Sequence, residues 1–132
     1  MQNLKLHKQE RLCSRTAIDG IFAGGQSAIA YPLRAVWAAS TAPKGQQLPR
    51  LMVTIPKKKI RHAVGRVLLR RRVREAYRLH RHELLSPALV ASGKRVDVAF
   101  VWLAKHPASY AVVEAKMQEL LTTIATKLQQ QP

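Results

Sequence analysis

Apolar positions recur along this chain with two different periods, and the switches between them mark out its elements. Residues 14–23 (SRTAIDGIFA) predict a short helix, capped by Ser14 or Thr16 and stopped by Gly24-Gly25. Residues 28–40 (AIAYPLRAVWAAS) have strand composition. Pro32 cannot donate to a ladder, so it implies an edge, a bulge or two short strands. TAPKGQQLP (41–49) reads as an exposed turn, and RLMVTI (50–55) as a β-prone run ended by Pro56. From about Ala63 to Leu85 the period is helical, and Pro87 ends it; Ser92 and Gly93 mark a further turn. RVDVAFVWL (95–103) is the clearest strand, placing Val96, Val98, Phe100 and Trp102 on one face. SYAVVEAKMQELLTTIATKL then predicts an amphipathic helix with apolar positions at 112, 113, 117, 120, 121 and 124.

The order α-β-β-β-α-β-α fits an α+β fold: a two-layer α/β sandwich with an about four-stranded sheet and three helices. At 132 residues the chain predicts one domain, 1–132, with an ordered core over about 10–127. A basic N-terminal arm (1–9) and a frayed tail (128–132) flank that core. No window approaches the roughly 20 apolar residues of a membrane span. The N-terminus has no apolar h-region, so the expected location is cytoplasmic. Cys13 is the only cysteine, which leaves no internal disulfide and no thiolate zinc cluster.

Charge changes the picture. The formal net charge is +16, and residues 57–81 hold eleven of the 23 Lys and Arg side chains against one acid, Glu75. Like charges repel in the folded state, so such crowding points to an anionic polymer as partner. On a helical projection, Leu69, Val73, Ala76 and His80 form a packed side, with Tyr77 and Leu84 flanking. Arg66, Arg70, Arg74 and Arg78 follow at i, i+4 on a neighbouring arc that also takes Arg71 and Arg81. These six guanidiniums extend over roughly 23 Å, enough to face several consecutive phosphates, which arginine grips with its planar fork. Lys57, Lys58, Lys59 and Arg61 enter the helix at its positive dipole end and prolong the same surface. A merely solvated helix face would carry acids as well, and this one has almost none.

Catalytic chemistry finds no foothold in the sequence. The seven acids (Glu10, Asp19, Glu75, Glu83, Asp97, Glu114 and Glu119) include no two at metal-ligand spacing. Glu75, inside an arginine run, reads as an intrahelical salt-bridge partner. His80 and His82 point in different directions on a helix, and His80 borders the core. Gly24-Gly25-Gln26-Ser27 lacks the Lys-Ser/Thr of a phosphate loop, and Cys13 has no paired His. With seven aromatics, base stacking is not the main mode. Phe22 is placed either for stacking on a base or for core packing, and Phe100 and Trp102 read as core.

The stretch HAVGRVLLRRRVREAYR (62–78) resembles the signature of the protein subunit of bacterial ribonuclease P, roughly A-V-x-R-N-R-x-K-R-x-x-R-E-A-F/Y-R after a strand and a K-K loop. Ala63, Val64, Arg66, Arg71, Arg74, Glu75, Ala76, Tyr77 and Arg78 match, Arg70 replaces a lysine, and Lys58 and Lys59 match the loop. The pattern F-x-x-V/I-F-x-x-G is met by Ile18, Ile21, Phe22 and Gly25, with Ile18 in place of the first aromatic. The central Asn and the Arg after it are Val67 and Leu68 here. The similarity extends from about residue 10 to 127. It implies that the catalyst is an RNA, which removes the 5′ leader from precursor tRNA using Mg2+ held largely by RNA, the protein binding no cofactor itself. It also implies that the basic helix contacts the catalytic RNA, and that a cleft holding Phe22 and Ile18 takes the single-stranded leader. The family's left-handed β-α-β crossover comes with it. The competing reading is a ribosomal or other structural RNA-binding protein without enzymatic role. DNA binding is not expected, because the exposed helix face offers no base-reading Asn or Gln.

Overall fold

The computed structural model describes residues 21–39, 50–92 and 96–130. Residues 21–24 are helical; the remainder of the predicted first helix, with Ile18, lies outside the described residues, as do Cys13 and the 41–49 turn. Pro32 divides its segment into two strands, β1 (Gln26–Ala30) and β2 (Leu33–Ala39), paired antiparallel across a two-residue turn whose Tyr31–Pro32 bond is cis. β3 (Arg50–Thr54) follows, then helix α1 (Ala63–Leu84), a short helix α2 (Ser86–Ser92), β4 (Val96–Trp102) and α3 (Tyr110–Gln130). Pro87 therefore separates two helices instead of ending helical structure, since its missing N–H costs nothing in the first turn of α2.

The sheet order is β1-β2-β4-β3, antiparallel except for the parallel pair β3 and β4, which α1 and α2 bridge. β4 sits between two strands and is buried on both faces, so its alternation in sequence separates two cores and not core from water. Toward the helices, Val96, Val98, Phe100 and Trp102 pack with Leu33, Ala35, Trp37, Leu51 and Val53 of the other strands. Leu69, Val73, Ala76 and Tyr77 of α1 and Val113, Met117, Leu120, Leu121 and Ile124 of α3 close this layer. Tyr77 meets Phe100 edge-on, with ring centroids 5.9 Å apart. Two expectations for the last helix change: Val112 is exposed, and Leu128 is buried in a helix that continues to Gln130, where a frayed tail was expected.

The second face of the sheet has a smaller core of Ile21, Val36 and Ala99, with Ala38 and Met52 beside it. Gly25 makes that approach possible. Its N–H donates to the Ile21 carbonyl at 2.8 Å, and a Cβ there would stand 2.4 Å from that oxygen and 2.7 Å from the Trp37 carbonyl. The glycine read as a helix stop thus also lets the helical turn lie directly on β2.

Candidate nucleic-acid interface

Helix α1 is rich in Leu and Arg, which favour helix, and it is held to the sheet by Leu69, Val73, Ala76 and Tyr77. Its N-cap, His62, is extended and makes no side-chain cap bond, and the first turn contains no acid. The positive end of the helix is thus left uncompensated beside Lys57 and Lys58, which are exposed, and Lys59, which is half-buried.

The predicted stripe is partly redrawn. Arg66 turns back, its Nη1 donating to the carbonyls of Ile60 (3.0 Å) and Arg61 (2.8 Å), so it ties the lysine loop to the helix. Arg81 is a correction: it is buried at 1% exposure, donates to the Arg78 carbonyl at 2.7 Å and lies 6.0 Å from the Tyr77 ring. It stands four residues after Tyr77, on the packed side, where its long stem fills space. Glu75 is the salt-bridge partner expected, engaging Arg78 through Nε at 3.1 Å and through Nη2. The Arg78 hydrogen bond holds the Glu75 carboxyl below the usual carboxylate range, and Glu75 in turn raises Arg78. Arg71 and Arg74 are exposed and Arg70 half-buried; among the described residues Arg70 and Arg71 form no hydrogen bond or ion pair. A groove between α1 and the start of α3 is lined by Arg71, Arg72, Arg74, Glu75, Arg78 and Tyr110.

Two cations of this surface escaped the sequence reading. Lys105 joins Lys57, Lys58, Lys59, Arg61 and His62 around a second groove. Its signal was topological: parallel neighbours β3 and β4 deliver the loops at their C-terminal ends to one edge. Arg72 donates to the Ala108 carbonyl at 2.6 Å and docks α1 onto the segment before α3. His80 borders the core as expected, 3.1 Å from Glu114, which also accepts from Tyr110 at 3.2 Å. Burial first, and the Glu114 charge second, push the Tyr110 phenol upward. Among the described residues no three His, Cys, Asp or Glu side chains gather as metal ligands, and no helix is long and apolar enough to cross a membrane.

Across the sheet, Phe22 is 47% exposed while its neighbour Ile21 is buried, so the helical turn packs through Ile21 and presents Phe22 outward. Arg50 and Asp97 form a two-bonded ion pair on this second face, at 2.9 and 2.7 Å.

A family model described as Ribonuclease P matches residues 6–125. The chain belongs to the ribonuclease P protein family. The ribonuclease P protein component of Porphyromonas gingivalis is 35% identical over 120 residues, covering 91% of this chain and 86% of that protein. The fold agrees with the RNase P protein of Thermotoga maritima (TM-score 0.68, 23% identity, 86% of this chain and 96% of that one). It agrees equally with that of Staphylococcus aureus (TM-score 0.68, 17% identity, 87% and 94%). Membership makes this chain a protein component of ribonuclease P, part of a tRNA-processing holoenzyme. Within the ribonuclease P signature, Val67 and Leu68 do not turn inward: they are 43% and 44% exposed, beside Val64 at 81%. The outer face of α1 thus begins with three aliphatic side chains and continues as Arg71, Arg74 and Arg78.

Proposed function

We propose that this ribonuclease P protein binds the catalytic RNA through the outer face of α1 and the lysine groove at its start. It holds the single-stranded 5′ leader of precursor tRNA against the second face of the sheet, beside Phe22. The observation that carries the reading is the arginine face itself: Arg70 and Arg71 have no acid or carbonyl partner among the described residues, and Arg74 stands exposed beside them. Guanidiniums so presented are matched by phosphates. Lys57, Lys58, Lys59 and Arg61 extend the contact; Arg66 shapes the loop that carries them, and Arg78 adds its charge from within the Glu75 pair. Ile18, outside the described residues, is assigned to the leader cleft on the resemblance alone.

Bond cleavage is assigned to the RNA, together with the magnesium ions. The protein contributes by neutralising phosphates, which lowers the cation concentration needed to hold RNA and substrate together. A leader held by its backbone and by stacking tolerates varied sequence. The holoenzyme is assigned to the cytoplasm, and neither membrane nor DNA enters the reading. Reconstitution tests it: adding the protein to its cognate RNA raises the rate of precursor-tRNA 5′ cleavage at low magnesium. An unchanged rate at every magnesium concentration overturns the proposal.

A further inference from the structure

The strand register places one residue from each strand in a single row across the second face. Ile29 pairs with Arg34, Arg34 with Val101, and Val101 with Thr54. The row crosses three inter-strand spacings, about 14 Å, the width of a short stretch of single strand. It runs beside the patch where Ile21 covers Val36 and Ala99, and its Thr54 end leads through Pro56 into Lys57.

Arg34 is the cation of this row. Its neighbours on either side, Ile29 and Val101, are aliphatic, and Val36 follows it on the same face of β2. Among the described residues its buried Nε finds no hydrogen-bond partner. The one described acid on this face, Asp97, is opposite Ala38, four residues further along β2, and gives both oxygens to Arg50. A guanidinium lying on an apolar floor with a buried N–H unmet is poorly solvated and gains more from an anionic acceptor than a fully hydrated one. Among the described residues the two arginines of this face therefore differ in kind, Arg50 being paired with a carboxylate and Arg34 not.

We infer that Arg34 clamps a backbone phosphate of the 5′ leader as the leader crosses the row Ile29–Arg34–Val101–Thr54 toward the lysine groove. This rests on the leader-binding reading above and adds to it the path and the residue that fixes the path. Ile29 and Val101 offer apolar contact to the sugar and base flanking that phosphate, and Phe22 is exposed next to Ile21, which packs on the same face.

The test uses reconstituted holoenzyme with wild-type protein and with Arg34→Met, which keeps the apolar stem and removes the charge. Substrates carry either a leader of several nucleotides or one cut to a single nucleotide, and a third set carries one uncharged methylphosphonate at successive leader positions. Arg34→Met is expected to weaken binding of the long-leader substrate about 10-fold, the size of one charge-assisted contact. That loss is expected to vanish with the single-nucleotide leader. One methylphosphonate position should weaken the wild type to the same degree and leave Arg34→Met unaffected. Equal losses on both leaders would make Arg34 structural and overturn the inference, as would additive losses at every methylphosphonate position. If the wild type prefers the long leader and Arg34→Met does so equally, Arg34 is excluded while the leader reading stands. If the wild type does not distinguish the leaders at all, both fall.

Discussion

The outer face of α1 and the second face of the sheet both present arginine, but they set it in opposite surroundings. On α1, Arg70, Arg71 and Arg74 stand close together in or near water, and each is screened by its neighbours' counterions. On the sheet, Arg34 is isolated on an aliphatic floor and Arg50 is locked to a buried carboxylate. Crowded exposed charges act collectively through counterion release, whereas an isolated, poorly solvated charge acts through one geometric contact. Salt is therefore the variable that separates the two surfaces. Replacing Arg70, Arg71 and Arg74 together with Ala should cause the largest loss, about 1,000-fold in affinity for the catalytic RNA at low salt. It should also flatten the slope of log affinity against log salt by about 2 to 3, with the fold retained. Arg66 is left out of this set because it holds the 60–61 backbone, and its loss would mix a folding effect with a binding one.

The contrast between Arg34 and Arg50 can be broken by stability alone. Asp97 is 1% exposed and Arg50 12%, so Arg50→Ala leaves a carboxylate buried without its main counter-charge. The expected cost is about 3 kcal/mol in denaturant unfolding. Arg34→Met, which removes no ion pair among the described residues, should leave the unfolding midpoint within experimental error. Comparable destabilisation by the two would mean that Arg34 has a structural role after all.

How far the sequence revealed these surfaces depended on which force decided each position. Periodicity located α1 and its packed residues Leu69, Val73, Ala76 and Tyr77, because burial at helical spacing leaves a regular trace. It also placed Val96, Val98, Phe100 and Trp102 on one face of β4, but not the burial of the opposite face, which the neighbouring strands and Ile21 bring about. Arg81 was misplaced because its charge was weighed above its spacing; four residues after Tyr77, it had to enter the packed side. The bonds of Arg66 to the Ile60 and Arg61 carbonyls were not legible, since a bond to a backbone carbonyl leaves no mark on a helical wheel. Lys105 and Arg34 gave no local signal. Each acquires its setting from a strand pairing across a long stretch of sequence, Lys105 from the parallel pairing of β3 with β4 and Arg34 from the pairing of β2 with β4. The motif spacing supplied the family, while the outward setting of Val67 and Leu68 shows only in the fold, because an aliphatic residue fits either side of a helix.

Val67 and Leu68 also blur the comparison, since they bring an aliphatic patch to the start of the charged face. Replacing them with Asn and Arg, the residues of the ribonuclease P signature, should extend the charged face by one more phosphate contact. The expected result is a gain of about 10-fold in catalytic-RNA affinity at low salt and a salt slope steeper by about 1. A gain in affinity with no change in slope would show contact without a new phosphate partner. No change in either would place the first turns of α1 outside the RNA interface.

The smallest expected effect concerns the single acid on the charged face. Arg78 depresses the Glu75 carboxyl, so in the folded protein the proton is bound more weakly than in the unfolded chain. The stabilisation is present above the unfolded value, about 4.3, and is lost as pH falls through the lower folded value. The pair is largely exposed, at 30% and 46% for the two side chains, so screening keeps its worth to about 0.5 kcal/mol or less. Glu75→Gln should remove that acid-limb dependence from the unfolding profile while barely moving stability at neutral pH. It also frees the Arg78 guanidinium for phosphate, which should raise catalytic-RNA affinity by about 2-fold and steepen the salt slope slightly. Weaker RNA binding by Glu75→Gln would instead mean that the pair presents Arg78 in its binding orientation, making Glu75 a positioning residue of the interface.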